Sequence, residues 1–199
     1  REDGYYMAVN QFVCSFFGCS WAGQGVAVFE RQKMLLGQAA RMIFKDLYSV
    51  DPNLGGMLPA DLDGPDPGGA EPFVQFDDNA WGYSGDQLQV WKFAVDWTGA
   101  GSGTFTFVAA LPTTAFDSNL CGYSANCIPQ RGTKRKVDAI SDRLMYRLQY
   151  RQLGTEGAMV VNHSVDVDGT DHAGIRWDEL RNNGLNGWMI RQQGTYAPA

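Results

Sequence analysis

Asp142-RLMYRLQYR-Gln152, Ala158-MVVNHSV-Asp166, Gly174-IRWDEL-Arg181 and Trp188-MIRQQGT-Tyr196 read as four successive β-strands joined by tight turns. In the first, Leu144, Tyr146, Leu148 and Tyr150 fall on one face and Met145, Arg147, Gln149 and Arg151 on the other. That period of two predicts a strand with two unlike faces. The second begins as an unbroken apolar run, the pattern of a strand covered on both sides. Between the strands lie Gly154-Thr-Glu-Gly157, Asp166-Val-Asp-Gly-Thr-Asp171 and Asn182-NGLN-Gly187. These turns are rich in residues that bond their own backbone or accept positive φ. Four antiparallel strands within residues 141–196 make one up-and-down sheet, and such a sheet used as a repeat is a propeller blade.

Working outward, the same grammar recurs. Gly4-YYMAVNQF-Val13, Gln24-GVAVFER-Gln32 and Ala40-RMIFKDL-Tyr48 predict three strands, with Cys14 to Gly23 as a hairpin excursion. Lys33-MLLGQA predicts one helical turn, limited by Gly37. A short strand is expected at Gly56-MLPADL-Asp63, followed by Phe73-VQFDDN, Asp86-QLQVWKFAVDW-Thr98 and Thr104-FTFVAAL-Pro112. Pro and Gly punctuate residues 49–72, and residues 113–137 form a second long loop. The expectation is an all-β fold in a single region, residues 1–199. It would hold about three four-stranded antiparallel blades of a β-propeller (repeats 1–48, 56–112 and 138–196), the first one strand short. A β-sandwich is the alternative, since it too spaces short strands with turns. Three blades do not close a ring. The chain is therefore expected to be part of a longer polypeptide or to associate with further copies, because an open end exposes an apolar face and strand edges.

Composition narrows the function classes. A net charge of −6 argues against nucleic acid as the partner, since phosphate binding needs a basic surface. No apolar run reaches the length of a membrane helix. The chain does not begin with Met, and Arg1-Glu-Asp reads as a processed start. The four cysteines form two close pairs, Cys14 with Cys19 and Cys121 with Cys127, without Cys-x-x-Cys spacing. Two local disulfides in an oxidising compartment are expected; four free buried thiols are the alternative.

Tyr5-YMAVNQF, Gly25-VAVFERQKML, Phe73-VQFDDNAWG, Leu88-QVWKFAVDW, Arg143-LMYRLQYR, Met159-VVNHSVD and Arg191-QQGTYAP together resemble a group of large secreted bacterial proteins, uncharacterised in function, that carry a β-propeller region. The resemblance spans nearly the whole chain. It implies an extracellular propeller within a multidomain polypeptide that continues past Ala199. It supplies no catalytic residues to carry over.

Several motifs nominate chemistry. Asp61, Asp63 and Asp66, and likewise Asp166, Asp168 and Asp171, share the pattern Asp-x-Asp-Gly-x-Asp, which can gather oxygens around calcium. The plainer reading is a pair of turns whose carboxylates cap backbone amides. His163 and His172 flank the second loop, and a histidine within an apolar strand is expected to be a hydrogen-bonded core residue. Arg143, Arg147, Arg151, Arg176, Arg181 and Arg191 recur on neighbouring strands, as an anion channel or as partners of Asp142, Asp178 and Glu179. Arg131-GTKRK-Val137 reads as a solvated loop tip. Trp81, Tyr83, Tyr123, Trp177 and Trp188 are candidates for a sugar-stacking platform.

No nucleophile elbow, phosphate loop or His-Glu-x-x-His motif is present. The expected function is therefore a secreted binding module for a glycan, a surface polymer or a protein. A propeller-type glycoside hydrolase would draw its two carboxylates from Asp77, Asp78, Asp86, Asp96 and Glu156. A structural subunit of an extracellular assembly is the third reading.

Overall fold

The computed structural model describes residues 1–197, and among them the fold is all-β. The chain runs β1 (Gly4–Ser15), β2 (Gly18–Glu30), α1 (Arg31–Leu35), β3 (Met42–Asp46), β4 (Leu58–Leu62), β5 (Glu71–Asp77), β6 (Gln87–Asp96) and β7 (Ser102–Pro112). It continues with the two-residue strands β8 (Ile128–Pro129) and β9 (Lys136–Val137), then β10 (Met145–Leu153), β11 (Glu156–Asp166), β12 (Ala173–Asn182) and β13 (Trp188–Tyr196).

Strands β1, β2 and β3 form an antiparallel three-stranded sheet. Two four-stranded meanders, β4–β7 and β10–β13, join into one eight-stranded sheet through a parallel pairing of β4 with β10, where Leu148 lies opposite Ala60 and Tyr150 opposite Leu62. This sheet curls into a half-barrel, and its edge strands β7 and β13 touch. Arg176 fastens the seam. Its guanidinium donates to the Thr114 carbonyl at 3.3 Å and to Gln193 Oε1, which also accepts from the Thr114 amide at 2.9 Å.

Period two decides where the cores sit. Even-numbered Val74, Phe76, Leu88 and Val90 point into the curl and meet Leu148, Tyr150, Met159, Val161 and Leu180. Odd-numbered Phe73, Trp91 and Phe93 point the other way, against Val26, Val28, Tyr6 and Ile43 of the three-stranded sheet. Strand β5 and the first half of β6 are thus covered on both faces, every residue of β5 being buried, whereas no residue of β7 is. A small third cluster, Leu120, Cys127 and Ala139, lies under the 113–137 loop.

One expectation needs correction. Tyr146 is 81% exposed instead of lying beside buried Leu144, Leu148 and Tyr150. The register of β10 on β11 shifts between Met145 and Gln149, and such an irregularity re-aims side chains. The Cys14–Gly23 excursion is a hairpin, as expected. Both strands of the hairpin continue through it, and only Phe16 and Phe17 stand between them. Both cysteine pairs are disulfides, and Cys14 and Cys19 are direct cross-strand partners. No helix is long and apolar enough to cross a membrane among the described residues.

Candidate functional site

The β4–β10 seam has open space on both sides. A cleft of about 510 Å³ lies between it and β1, lined by Tyr5, Tyr6, Arg31, Asp61, Asp66, Glu71 and Tyr146. A second, of about 440 Å³, is lined by Trp91, Lys92, Tyr150, Gln152, Asn182 and Trp188. Tyr150, Gln152, Asn182 and Trp188 also line an adjoining hollow of about 200 Å³. Arg1 borders both larger clefts.

The strands place these groups by register. Tyr150 and Gln152 are two apart on β10, and Asn182 opens the turn that Trp188 closes, its partner across β12 and β13. The Trp188 ring meets Tyr150 edge-on at 6.2 Å. The Tyr150 hydroxyl donates to Gln152 Oε1 at 2.7 Å, and the Gln152 amide donates to the Gly154 carbonyl at 3.0 Å. The aromatic rings and the planar amide are therefore held in fixed orientation, as a preformed pocket requires.

Arg1 is an electrostatic clamp between the clefts. Its Nε donates to Glu71 at 2.5 Å and its Nη1 to Asp66 at 2.8 Å, with the guanidinium 5.1 Å from the Tyr150 ring centre. Burial pushes the Glu71 carboxyl up to about 7 despite the Arg1 charge. Burial acts upward on Asp66 too, but the Glu2 and Gly68 amides and Arg1 outweigh it and hold that carboxyl below its ordinary value. Two carboxylates on one arginine are thus driven in opposite directions.

The predicted acidic residues are used as turn and strand fasteners. Asp61 accepts from Arg147 at 2.9 Å and from the Tyr146 hydroxyl at 3.1 Å, and Asp63 accepts from Gln149 at 2.8 Å. Asp166 accepts from the amides of Asp168, Gly169 and Asp171; Asp168 accepts from Thr170; and Asp171 accepts from the Cys121 amide. Among the described residues no three His, Cys, Asp or Glu side chains are grouped to hold a metal ion.

Other candidates disperse. Asp77, fully buried, accepts from the amides of Gln75, Gln87 and Gln89, and burial raises its carboxyl. Asp78 and Asp86 accept backbone amides of Ala80, Ser118, Asn79 and Phe116, while Asp96 and Glu156 lie at strand ends far from them. Of the proposed aromatic platform, only Trp188 reaches the cleft. Trp81 stacks on Phe76 and donates to the Tyr123 hydroxyl, and Trp177 lies against Gly194. Of the predicted arginines, Arg181 and Arg191 share one hollow of about 420 Å³ with Glu156, whereas Arg143 pairs with Asp142 and Arg176 turns inward.

His163 is buried as expected but not hydrogen-bonded. Among the described residues neither ring nitrogen finds a partner, and the ring stacks on Phe76 at 4.4 Å. Burial, with the Arg176 charge, pushes its imidazole down to about 4. Sequence reasoning missed Glu71, Trp91 and Arg1 as cleft residues. Glu71 sits on a strand carrying no carboxylate motif, and the signal that does exist, Trp91 on the face opposite Lys92, reads first as core. Compared with known protein families, curated proteins and solved structures, the chain matches none.

Proposed function

We propose that the chain is a β-propeller-type extracellular binding module whose ligand is a glycan. The observation that carries the ligand class is the cleft in which Trp91, Tyr150 and Trp188 meet the amides of Gln152 and Asn182 and the Lys92 ammonium. A sugar ring offers an apolar C–H face to an aromatic ring and a rim of hydroxyls to planar amides and cations. A cleft that mixes aromatic rings with fixed polar groups suits both. The propeller reading is supported by the order of the meanders: β1–β3, β4–β7 and β10–β13 pack in sequence order, with β5 of the middle one covered on both sides. The leading strands β1, β4 and β10 lie side by side, as blades do around an axis. The layering of β1–β3 on β5–β7 is what favours the β-sandwich alternative.

Secretion is supported by the two disulfides, which persist in oxidising compartments. The outer face of the first meander carries Tyr5, Met7, Met42 and Phe44, each at least 40% exposed, which suits a further blade of the same polypeptide or a second copy. That face also supports the structural-subunit reading. The hydrolase alternative rests on Glu71 and Asp66, a pair of carboxyls pushed apart beside a cleft, as acid and base partners are. Calcium at either acidic loop would displace the backbone and arginine bonds described above; a melting temperature unmoved by chelator would remove it.

Binding to a panel of polysaccharides by affinity electrophoresis tests the reading. Retention is expected for the wild type, with a loss of about tenfold in affinity for Trp188→Ala. No retention on any polysaccharide, or a Trp188→Ala protein that binds equally well, would sink it. Turnover of chromogenic glycosides that Glu71→Gln abolishes would favour the hydrolase.

A further inference from the structure

From Gly4 to Phe29 the chain contains no Asp, Glu, Lys or Arg. This stretch folds into the β1–β2 hairpin, and β3 pairs with it only along Gly25–Phe29. The distal end, where Val13 lies opposite Ser20 and Cys14 opposite Cys19, therefore projects as an arm beyond the Phe12–Trp21 pair. Phe16 and Phe17 at its tip are 98% and 95% exposed, their rings edge-on at 5.7 Å. Phe12 and Val13 behind them are also exposed. Water does not favour such a display, and the Cys14–Cys19 disulfide closes the tip into a small loop directly behind the two rings.

We infer that this disulfide-pinned Phe16–Phe17 tip inserts shallowly into a phospholipid surface. Three features favour a lipid surface over a pocket on another protein. The tip is convex, and its neighbours carry no charge to desolvate. Protein interfaces surround their apolar centre with a polar, charged rim, and here the nearest side-chain polar groups are Ser15 and Ser20. The turn is also satisfied internally: Ser15 Oγ accepts from the Phe17 amide at 3.2 Å and reaches the Gly18 carbonyl at 3.3 Å. Phe side chains serve interfacial segments as the apolar groups buried at the boundary of headgroups and acyl chains.

The same structure limits the depth. A two-stranded ribbon leaves its outward backbone groups unpaired, and hydrocarbon does not tolerate them, so only the tip enters. The base stays anchored, because Trp21 Nε1 donates to the Pro52 carbonyl at 2.7 Å and the Phe12 ring packs on Trp21. The charge of −6 and the absence of basic residues on the arm mean that uncharged, zwitterionic headgroups are preferred over anionic ones.

Flotation of the whole chain with phosphatidylcholine vesicles tests this. The wild type is expected to float, and the Phe16→Ser/Phe17→Ser variant to partition at least about tenfold less. Both side chains touch solvent, so the variant should melt at the wild-type temperature, which separates lost insertion from lost fold. Replacing part of the lipid with phosphatidylserine should weaken wild-type flotation. A wild type that stays in solution, or a serine variant that floats equally, overturns the proposal. So does an arm-dependent dimer in light scattering without vesicle binding, which would make a second copy the occupant.

Discussion

At Asp178 a carboxylate has left water without gaining a hydrogen bond. Both oxygens are buried without a partner among the described residues, and the nearest cation, Arg176 Nε, stands 4.0 Å away. Burial raises this carboxyl to about 6, with Arg176 opposing. A raised carboxyl favours the folded state while protonated, and the advantage fades as pH climbs from the unfolded value, near 4, through about 6. Asp178→Asn should therefore stabilise the protein at pH 8, by about 2–3 kcal/mol if the whole shift is recovered. It should do little at pH 4, and thermal melts at the two pH values check this. His163 works in the opposite direction. Its lowered value means that stability present above pH 6.5 drains away as pH falls towards 4. His163→Phe, which keeps the stack on Phe76, should flatten that acid limb of the melting curve. The period-two pattern of β11 and β12 puts His163 with Val161, and Arg176 with Asp178, on common faces. The sequence could not say that these faces look into a closed curl, because the residues that close it come from β5 and the segment after β7.

At the level of elements, most strands were legible because alternation and turn residues agree locally. Trp91, Phe93 and Val95 share a packed face of β6, and Trp97 just past its end packs on the same cluster. The second acidic turn was legible in its plainer form, since Asp166 and Asp168 cap their own loop, whereas Asp61 and Asp63 bond side chains of β10 instead. Tyr146 was not, because a register shift leaves no trace in a clean alternation. Strand β5 shows what double coverage means energetically. Phe73 is fully buried and contacts the rings of Tyr6, Phe93 and Phe105 across two sheets. Phe73→Ala should cost about 3–5 kcal/mol, read from the denaturant midpoint, since neither sheet can move in to fill the space alone.

Across the whole molecule, the succession of three meanders could be read from the spacing of strands and loops, whereas their joining could not. The pairing of β4 with β10 links residues more than eighty positions apart and involves only three residue pairs. Nothing in either short stretch specifies the other. The clefts flanking that seam were invisible for the same reason: Trp91, Asn182 and Trp188 come from three strands of two meanders.

That seam also has a consequence in time. Strands β5, β6 and β7 are consecutive hairpins, and so are β10 to β13, so each set can zip up from neighbours in sequence. The parallel contact between Leu58–Leu62 and Met145–Leu153 instead requires the intervening chain to be gathered first, at an entropic cost that only the finished interior repays. Assembly should accordingly proceed as two early ribbons and one late docking. In refolding, the surroundings of Trp91, among Phe105 and Phe107 of its own ribbon, and of Trp188, beside Tyr150 of the other, would both mature before the cleft they share is assembled.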